Sequence, residues 1–211
     1  MTLASVAIGL NRMRRRRTPG FDLCPLVFLT DGERAPDPAG IVASWATPLA
    51  RATMVIFRHY DHPDRAEIGT RLARVCHARG IPLLVAGDPK LMKALRAAGI
   101  HWPDGLMRRR GTETRAAGRH ITTAAAHDAR GLRRASLAGV DAIFLSPVFP
   151  TSSHAERTPL GRLRFAALVR SVRVPVYALG GMDDRTAQSL IGSGAAGLAA
   201  IGALRNPEPS R

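Results

Sequence analysis

Residues 140–154 read VDAIFLSPVFPTSSH, and residues 174–181 read VPVYALGG. Each stretch opens on a short apolar run and then breaks into proline, glycine or hydroxyl residues. A run that is too short for a helix and apolar at successive positions is what a strand buried on both faces requires. Working outward from these two, which contribute 142–147 and 174–180, similar runs occupy 26–30, 54–58, 82–86, 99–102, 121–126 and 197–201. Between the runs the spacing becomes helical. Ile68, Leu72, Val75 and Cys76 share one face of 65–79, and Leu91, Ala94, Leu95 and Ala98 share one face of 90–98. Asp128 is placed to cap a helix over 128–137, with Gly139 as its stop signal, and 184–191 is followed by Gly192 and Gly194. Eight strands alternating with helices predict an α/β fold, a single (β/α)₈ (TIM) barrel over residues 21–211. An open doubly wound sheet of six or seven strands is the alternative. No G-x-G-x-x-G follows the first run, so a dinucleotide fold lacks its fingerprint.

The chain has 211 residues, enough for one domain with a large core, and 45% of them are hydrophobic. Cys24 and Cys76 stand in apolar contexts with no C-x-x-C or Cys/His cluster around them. They read as reduced core residues of a cytoplasmic protein. No apolar run reaches the ~18 residues of a membrane helix. The formal net charge is +15, which raises nucleic acid as a partner. Lys90 and Lys93 are the only lysines, so 29 of the 31 basic residues are arginine, beside abundant alanine and glycine. The dense clusters, 12–17 and 108–110, have no interleaved aromatics of the kind that stack single strands. Solvated charge on helix faces is the favoured reading, and nucleic acid ranks last among the partners. Residues 1–20, MTLASVAIGLNRMRRRRTPG, place their apolar part before their basic part, unlike a secretory signal. They are expected to form a disordered basic extension outside the barrel; a start assigned too far upstream would account for them equally well.

Barrels of this type carry their active sites at the C-terminal ends of the strands. The positions to weigh are therefore Thr30 and Asp31; Arg58, His59 and Tyr60; Gly87 and Asp88; His101; His127; residues 146–154; Gly180 and Gly181; and Gly202. His59, His101, His127 and His154 are four of the chain's seven histidines. Gly180, Gly181 and Gly202 follow the seventh and eighth runs, where such barrels often hold phosphate against loop backbone. They could equally do no more than end strands. Thr151, Ser152 and Ser153 offer hydroxyls to phosphate oxygens, and a protonated His154 would add charge. An ordinary polar loop has the same composition. His127 precedes a helix and points to the mouth, where an imidazole suits proton shuttling near neutral pH; a structural histidine is the plain alternative. His59, Asp61 and His62 form an H-x-D-H that lacks a fourth metal ligand, and a polar loop is preferred.

Taken together, SPVFPTSSH, PLG at 159–161, VPVYALGGM, SGAAGLAAIGAL, TAAAHD and AAGIH follow the order and spacing of the thiamine-phosphate synthase/TenI superfamily, which this chain resembles over about 21–204. The resemblance implies small phosphorylated thiazole and pyrimidine substrates. One branch couples a pyrimidine pyrophosphate to a thiazole phosphate, and a sister branch isomerises the thiazole phosphate. Gly180, Gly181, Gly202 and the loop of Thr151, Ser152 and Ser153 would then hold the thiazole phosphate, with His59, Asp88 and His101 around the substrate.

The chain departs from the synthase pattern at several positions. The Q-x-R-x-K positions after the second run hold Ile56, Arg58 and Tyr60. The Asn-Asp positions after the third hold Ala86 and Gly87, with Asp88 one place late and the nearest candidate for a magnesium ligand. Asp104 only lies near the place of the second magnesium carboxylate. Ala125 stands for a serine, and His154 for the lysine that ends the loop. A diphosphate leaving group needs its charge offset, so synthesis would fall to Arg58, Asp88 and His154, with Mg²⁺ as cofactor. The tautomerase branch needs phosphate binding, the histidine matching His127 as acid/base, and no cofactor. A tautomerase is thus the first expectation, a diverged synthase the second, and a non-catalytic barrel that binds a phosphorylated ligand the third. The sequence fixes no oligomeric state, and a homo-oligomer is compatible with it.

Overall fold

Leu26, Val27, Phe28 and Leu29 are all buried, and the other strands are buried along almost their whole length. In the computed structural model, which describes residues 1–17, 22–110, 120–152 and 156–205, those strands close into one parallel barrel. They are β1 (Leu26–Leu29), β2 (Thr53–Phe57), β3 (Leu83–Ala86), β4 (Gly99–Trp102), β5 (Ile121–Ala126), β6 (Ala142–Leu145), β7 (Val176–Leu179) and β8 (Gly197–Ala200). β8 returns to pair with β1, with Leu26 opposite Leu198 and Phe28 opposite Ala200. The predicted runs match all eight strands, with ends shifted by a residue or two where loop residues continued the apolar pattern.

The helices are α1 (Leu3–Arg17), α2 (Pro38–Ser44), α3 (Thr47–Ala52), α4 (Arg65–Ala78), α5 (Pro89–Ala94), α6 (Asp104–Arg110), α7 (Ala129–Leu137), α8 (Gly161–Arg170) and α9 (Asp184–Ser189); a 3₁₀ turn covers Gly202–Leu204. Asp128 caps α7 as expected, accepting from Gly131 N at 2.7 Å. None of the described helices is long and apolar enough to cross a membrane.

Successive strand residues point to opposite faces. Val27, Leu29, Met54, Ile56, Leu84, Ala86, Phe144 and Tyr177 form a cluster inside the barrel. Phe28, Val55, Phe57, Val85, Ile143 and Leu145 pack outward against the helices. Phe144 and Tyr177 stack with centroids 5.1 Å apart, and Tyr177 OH donates to Cys24 O at 2.7 Å. The interior is a packed core, and barrels of this kind carry their sites at the C-terminal rim.

The N-terminal segment differs from expectation. Residues 3–17 are a helix, and Leu3, Val6, Ala7 and Leu10 are buried. α1 packs on β8, β1 and α9. At one end Leu3 N donates to Asp184 Oδ1 at 2.6 Å; further along, Asn11 Nδ2 donates to Leu23 O and Ala196 O, each at 3.1 Å. Arg14 reaches the carbonyl of Arg173. α1 therefore runs down the outside of the β8–β1 seam, antiparallel to the strands, and serves as the eighth covering helix. The physical reason lies in positions 3, 6, 7 and 10, which have the i, i+3, i+4, i+7 spacing of an apolar helix face. The arginine run masked that pattern.

Candidate functional site

Strand parity decides which rim residues face the lumen. In β2 the inward positions are Met54 and Ile56, which sends Arg58 inward and His59 outward. Arg58 lines a cavity of about 210 Å³ at the C-terminal ends of the strands, together with Arg34, Ser146, Thr151, Ser152, Gly180, Gly181 and Gly202. Of the residues expected to hold an anion, Thr151, Ser152, Gly180, Gly181, Gly202 and Arg58 are thus brought together. Ser153 and His154 lie outside the described residues.

Gly180 and Gly181 have φ of 94° and 65°, in the left-handed region. The loop after β6 passes directly over them. Val148 N donates to Leu179 O at 2.9 Å, and Phe149 N donates to Gly180 O at 3.1 Å. A Cβ on Gly180 would lie 2.8 Å from Pro147 Cα, and one on Gly181 would lie 2.5 Å from Pro150 O. Glycine is required here for close backbone packing as well as for the conformation. Their side-chain-free backbone is also part of the cavity wall. A Cβ on Gly202 would meet nothing within 4 Å.

The cationic wall has an organiser. Asp31 Oδ1 accepts from Arg34 N at 3.0 Å, and its Oδ2 lies 3.6 Å from Arg34 Nη1 and 3.8 Å from Arg58 Nη2. Arg34 Nη2 also donates to Ser152 Oγ at 3.4 Å, joining the loop after β1 to the loop after β6. Arg58 Nε is buried and donates to no acceptor among the described residues. A buried guanidinium nitrogen without an acceptor, in a cavity wall, suits an anionic ligand. Sequence reading missed Arg34 because it stopped at the strand ends. It noted Asp31 at the rim but gave it no role.

His127 sits at the top of β5, next to the cavity. Its Nδ1 lies 2.8 Å from Ser146 O and 3.2 Å from Ser146 Oγ. A carbonyl can only accept, so Nδ1 carries a proton and, in the neutral ring, the lone pair is on Nε2. Ser146 itself lines the cavity, so the histidine is anchored to the cavity wall.

The three residues expected around a substrate are placed elsewhere. His59 faces outward. Its Nδ1 is 2.9 Å from Thr30 Oγ1, its ring stacks on Phe57 with centroids 5.1 Å apart, and only 3% of it is exposed. Burial, then the neighbouring His62, lowers its pKa. His101 faces the lumen but is sealed beneath the mouth, with Nδ1 3.0 Å from Thr123 Oγ1 and its ring edge-on to Phe144. Burial, then the charge of Arg58, lowers its pKa to about 3, so the ring is neutral near pH 7. Asp88 caps α5, accepting from Leu91 N at 2.9 Å, and pairs with Arg65 at 3.2 Å. None of the three lines the cavity. In each case the side chain is engaged by a residue of another element, Thr30, Thr123 or Arg65.

The two carboxylates nearest the magnesium positions do not fit a magnesium site. Asp88 is held by a helix terminus and Arg65, while Asp104 bonds Arg134 Nη2 at 2.7 Å. Each already has a cation beside it. Among the described residues, no three His, Cys, Asp or Glu side chains gather in a group able to hold a metal ion.

Fold and mouth together define a (β/α)₈ barrel with a cationic, glycine-walled pocket at its C-terminal rim. This chain belongs to the thiamine monophosphate synthase family of enzymes, whose model matches residues 26–204. It is 30% identical over 162 residues to a thiamine biosynthesis bifunctional protein ThiED of Geobacter sulfurreducens, covering 76% of this chain and 33% of that one. It is 31% identical over 154 residues to a thiamine-phosphate synthase of Geobacillus kaustophilus, covering 69% of this chain and 67% of the relative. The chain thus spans one third of the first relative and about two thirds of the second. A thiamine phosphate pyrophosphorylase structure from Pyrococcus furiosus superposes with a TM-score of 0.71 at 23% identity, over 87% of this chain and 88% of that one. That likeness carries the fold.

Proposed function

We propose that this chain acts in thiamine biosynthesis, binding a thiazole phosphate in the rim pocket and isomerising it as a TenI-like tautomerase through His127. The carrying observation is the bond from His127 Nδ1 to Ser146 O, 2.8 Å long, at the pocket wall. It fixes the ring and puts the lone pair of the neutral form on Nε2, as a general base requires. In the reaction Nε2 takes a proton from one carbon of the thiazole system. The C–H electron pair shifts through the conjugated bonds, and the imidazolium returns the proton at the other end. Nothing leaves, so no large charge has to be offset. The phosphate is held against Gly180, Gly181 and Gly202, with the hydroxyls of Thr151 and Ser152 beside it and the two arginines at its flank.

A second reading is a diverged thiamine-phosphate synthase. The relatives bear that name, and Arg34 and Arg58 give the pocket wall two positive charges that would offset those of a diphosphate. It also requires Mg²⁺, for which Asp88 and Asp104 are poorly suited because each is already paired with an arginine.

An endpoint assay separates these readings. The purified chain is mixed with a pyrimidine pyrophosphate and each thiazole phosphate isomer, with Mg²⁺ or with chelator. Interconversion of the isomers that chelator leaves unchanged is the expected result. Mg²⁺-dependent thiamine phosphate without interconversion would establish the synthase instead. Phosphate binding with neither product would leave a non-catalytic barrel.

A further inference from the structure

We propose that Thr30 and His59 are positioning residues for Arg58, holding it from behind the pocket wall; this rests on the phosphate-pocket reading above. Val27 and Leu29 face the lumen, so Thr30, just beyond them, faces outward with His59. Neither lines the cavity, and both are buried, at 0% and 3% exposure.

β1 and β2 pair with Leu29 opposite Ile56, and Thr30 N adds a bond to Ile56 O at 2.9 Å past the end of β1. The next bond of a regular parallel ladder would run from Arg58 N to Thr30 O. Arg58 N donates instead to Thr30 Oγ1, at 2.9 Å. The hydroxyl thus replaces the carbonyl. The Thr30 backbone is released to turn into the loop that carries Asp31 and Arg34, where Ala35 N donates to Asp31 O at 2.8 Å. Arg58 keeps a backbone anchor although β1 has turned away from it.

A hydroxyl that accepts from Arg58 N has one proton to give. His59 Nδ1 lies 2.9 Å from Oγ1. Burial, which lowers the histidine pKa, keeps the ring neutral and able to accept near pH 7. The ring is fixed in turn: it stacks on Phe57, and a Cβ on Gly32 would lie 3.8 Å from its Cδ2. Arg58 N–H, the Thr30 hydroxyl and His59 Nδ1 therefore form a buried series that sets where the Arg58 side chain leaves the strand. A binding group has to be held within about 0.5 Å of its productive place, and this series does so without touching the ligand.

The test is a double-mutant cycle between Thr30→Val, which keeps the shape and removes the hydroxyl, and Arg58→Gln, read by titration calorimetry with ethyl phosphate. Thr30→Val should weaken binding about fivefold or more, and Thr30→Ser should restore it to within about twofold of wild type. With Gln already at position 58, Thr30→Val should change the Kd by less than about twofold, since no guanidinium is left to position. A merely structural hydroxyl would lower the thermal midpoint in both backgrounds without that dependence on Arg58. If Thr30→Val fails to fold, His59→Leu takes its place in the cycle. His59→Asn is then the restoring variant, because its amide oxygen can accept the hydroxyl proton. An unchanged Kd for Thr30→Val, or the same loss with and without Arg58, would overturn the inference. No binding of ethyl phosphate by the wild-type chain would bring down the phosphate-pocket reading itself, and the positioning role with it.

Discussion

His127 and Ser146, nineteen residues apart in the sequence, meet at the rim where Nδ1 of the imidazole lies 2.8 Å from the serine carbonyl. The carbonyl belongs to the residue just beyond β6, and the histidine to the residue just beyond β5. Parallel pairing of the two strands, with Ala126 opposite Leu145, brings them side by side. The same serine lines the cavity. One residue thus orients the imidazole and forms part of the cavity wall, and the predictions below follow from that arrangement and the elements around it.

Arg58 carries a buried Nε with no acceptor among the described residues. Arg58→Gln should weaken ethyl phosphate binding by about tenfold or more, the worth of a charge-assisted hydrogen bond. Its thermal midpoint should move little, because Asp31 keeps Arg34 as a partner. Calorimetry beside a melting curve checks both. Unchanged affinity would remove Arg58 from the pocket.

Gly181 combines φ of 65° with a Cβ position 2.5 Å from Pro150 O. Gly139 has φ of 68° but open space around it. Gly139→Ala should cost about 1 kcal/mol from backbone strain alone, and Gly181→Ala about 1–3 kcal/mol because the loop must also shift. Urea denaturation of the pair separates conformation from contact. Equal losses would mean that the loop after β6 adapts freely.

Leu10 is buried in α1, against the β8–β1 seam. Leu10→Ala should cost about 2–5 kcal/mol by chemical denaturation, the usual range for such a truncation in a packed core. A loss below about 0.5 kcal/mol would return α1 to the detached extension that its arginine run suggested.

His101 has its pKa lowered to about 3 by burial and by Arg58, against about 6.5 in an unfolded chain. The unfolded state therefore binds the proton first. The contribution of neutral His101 is complete above pH 6.5 and is lost progressively as pH falls towards 3. His59 is shifted in the same direction. Stability measured in urea should drop between pH 7 and pH 4.5, and His101→Gln should make the drop shallower. An identical slope in the variant would exclude His101 as a source.

The barrel was legible because buried parallel strands announce themselves. Runs such as AIFL and LLVA have few competing interpretations once glycine and proline bound them. The helices α2, α3, α6 and α8 were less so, since short segments such as TPLARA carry weak periodicity. Within the site, the glycines and Arg58 followed from the strand ends, while the inward direction of Arg58 needed the parity of β2 in the fold. Arg34 did not, because it lies five residues beyond β1 and reaches the pocket only through the turn that Asp31 closes. His59 and Asp88 follow their strands but His101 lies within β4, and none of the three lines the cavity. Their partners Thr30, Thr123 and Arg65 come from other elements, and no local pattern exposes such pairings. Departures from the synthase motif at Ala86, Gly87 and Ala125 were readable directly. The arginine partners of Asp88 and Asp104 needed the fold.

The most direct test of the central claim compares the wild-type chain with His127→Asn, each incubated in D₂O with one thiazole phosphate isomer and followed by proton NMR. The account predicts interconversion with solvent deuterium entering the product for wild type. For the variant it predicts a rate lower by roughly 10²–10⁴, with ethyl phosphate affinity unchanged. Interconversion at the same rate in both proteins, or none in either while Mg²⁺ supports thiamine phosphate formation, would contradict it.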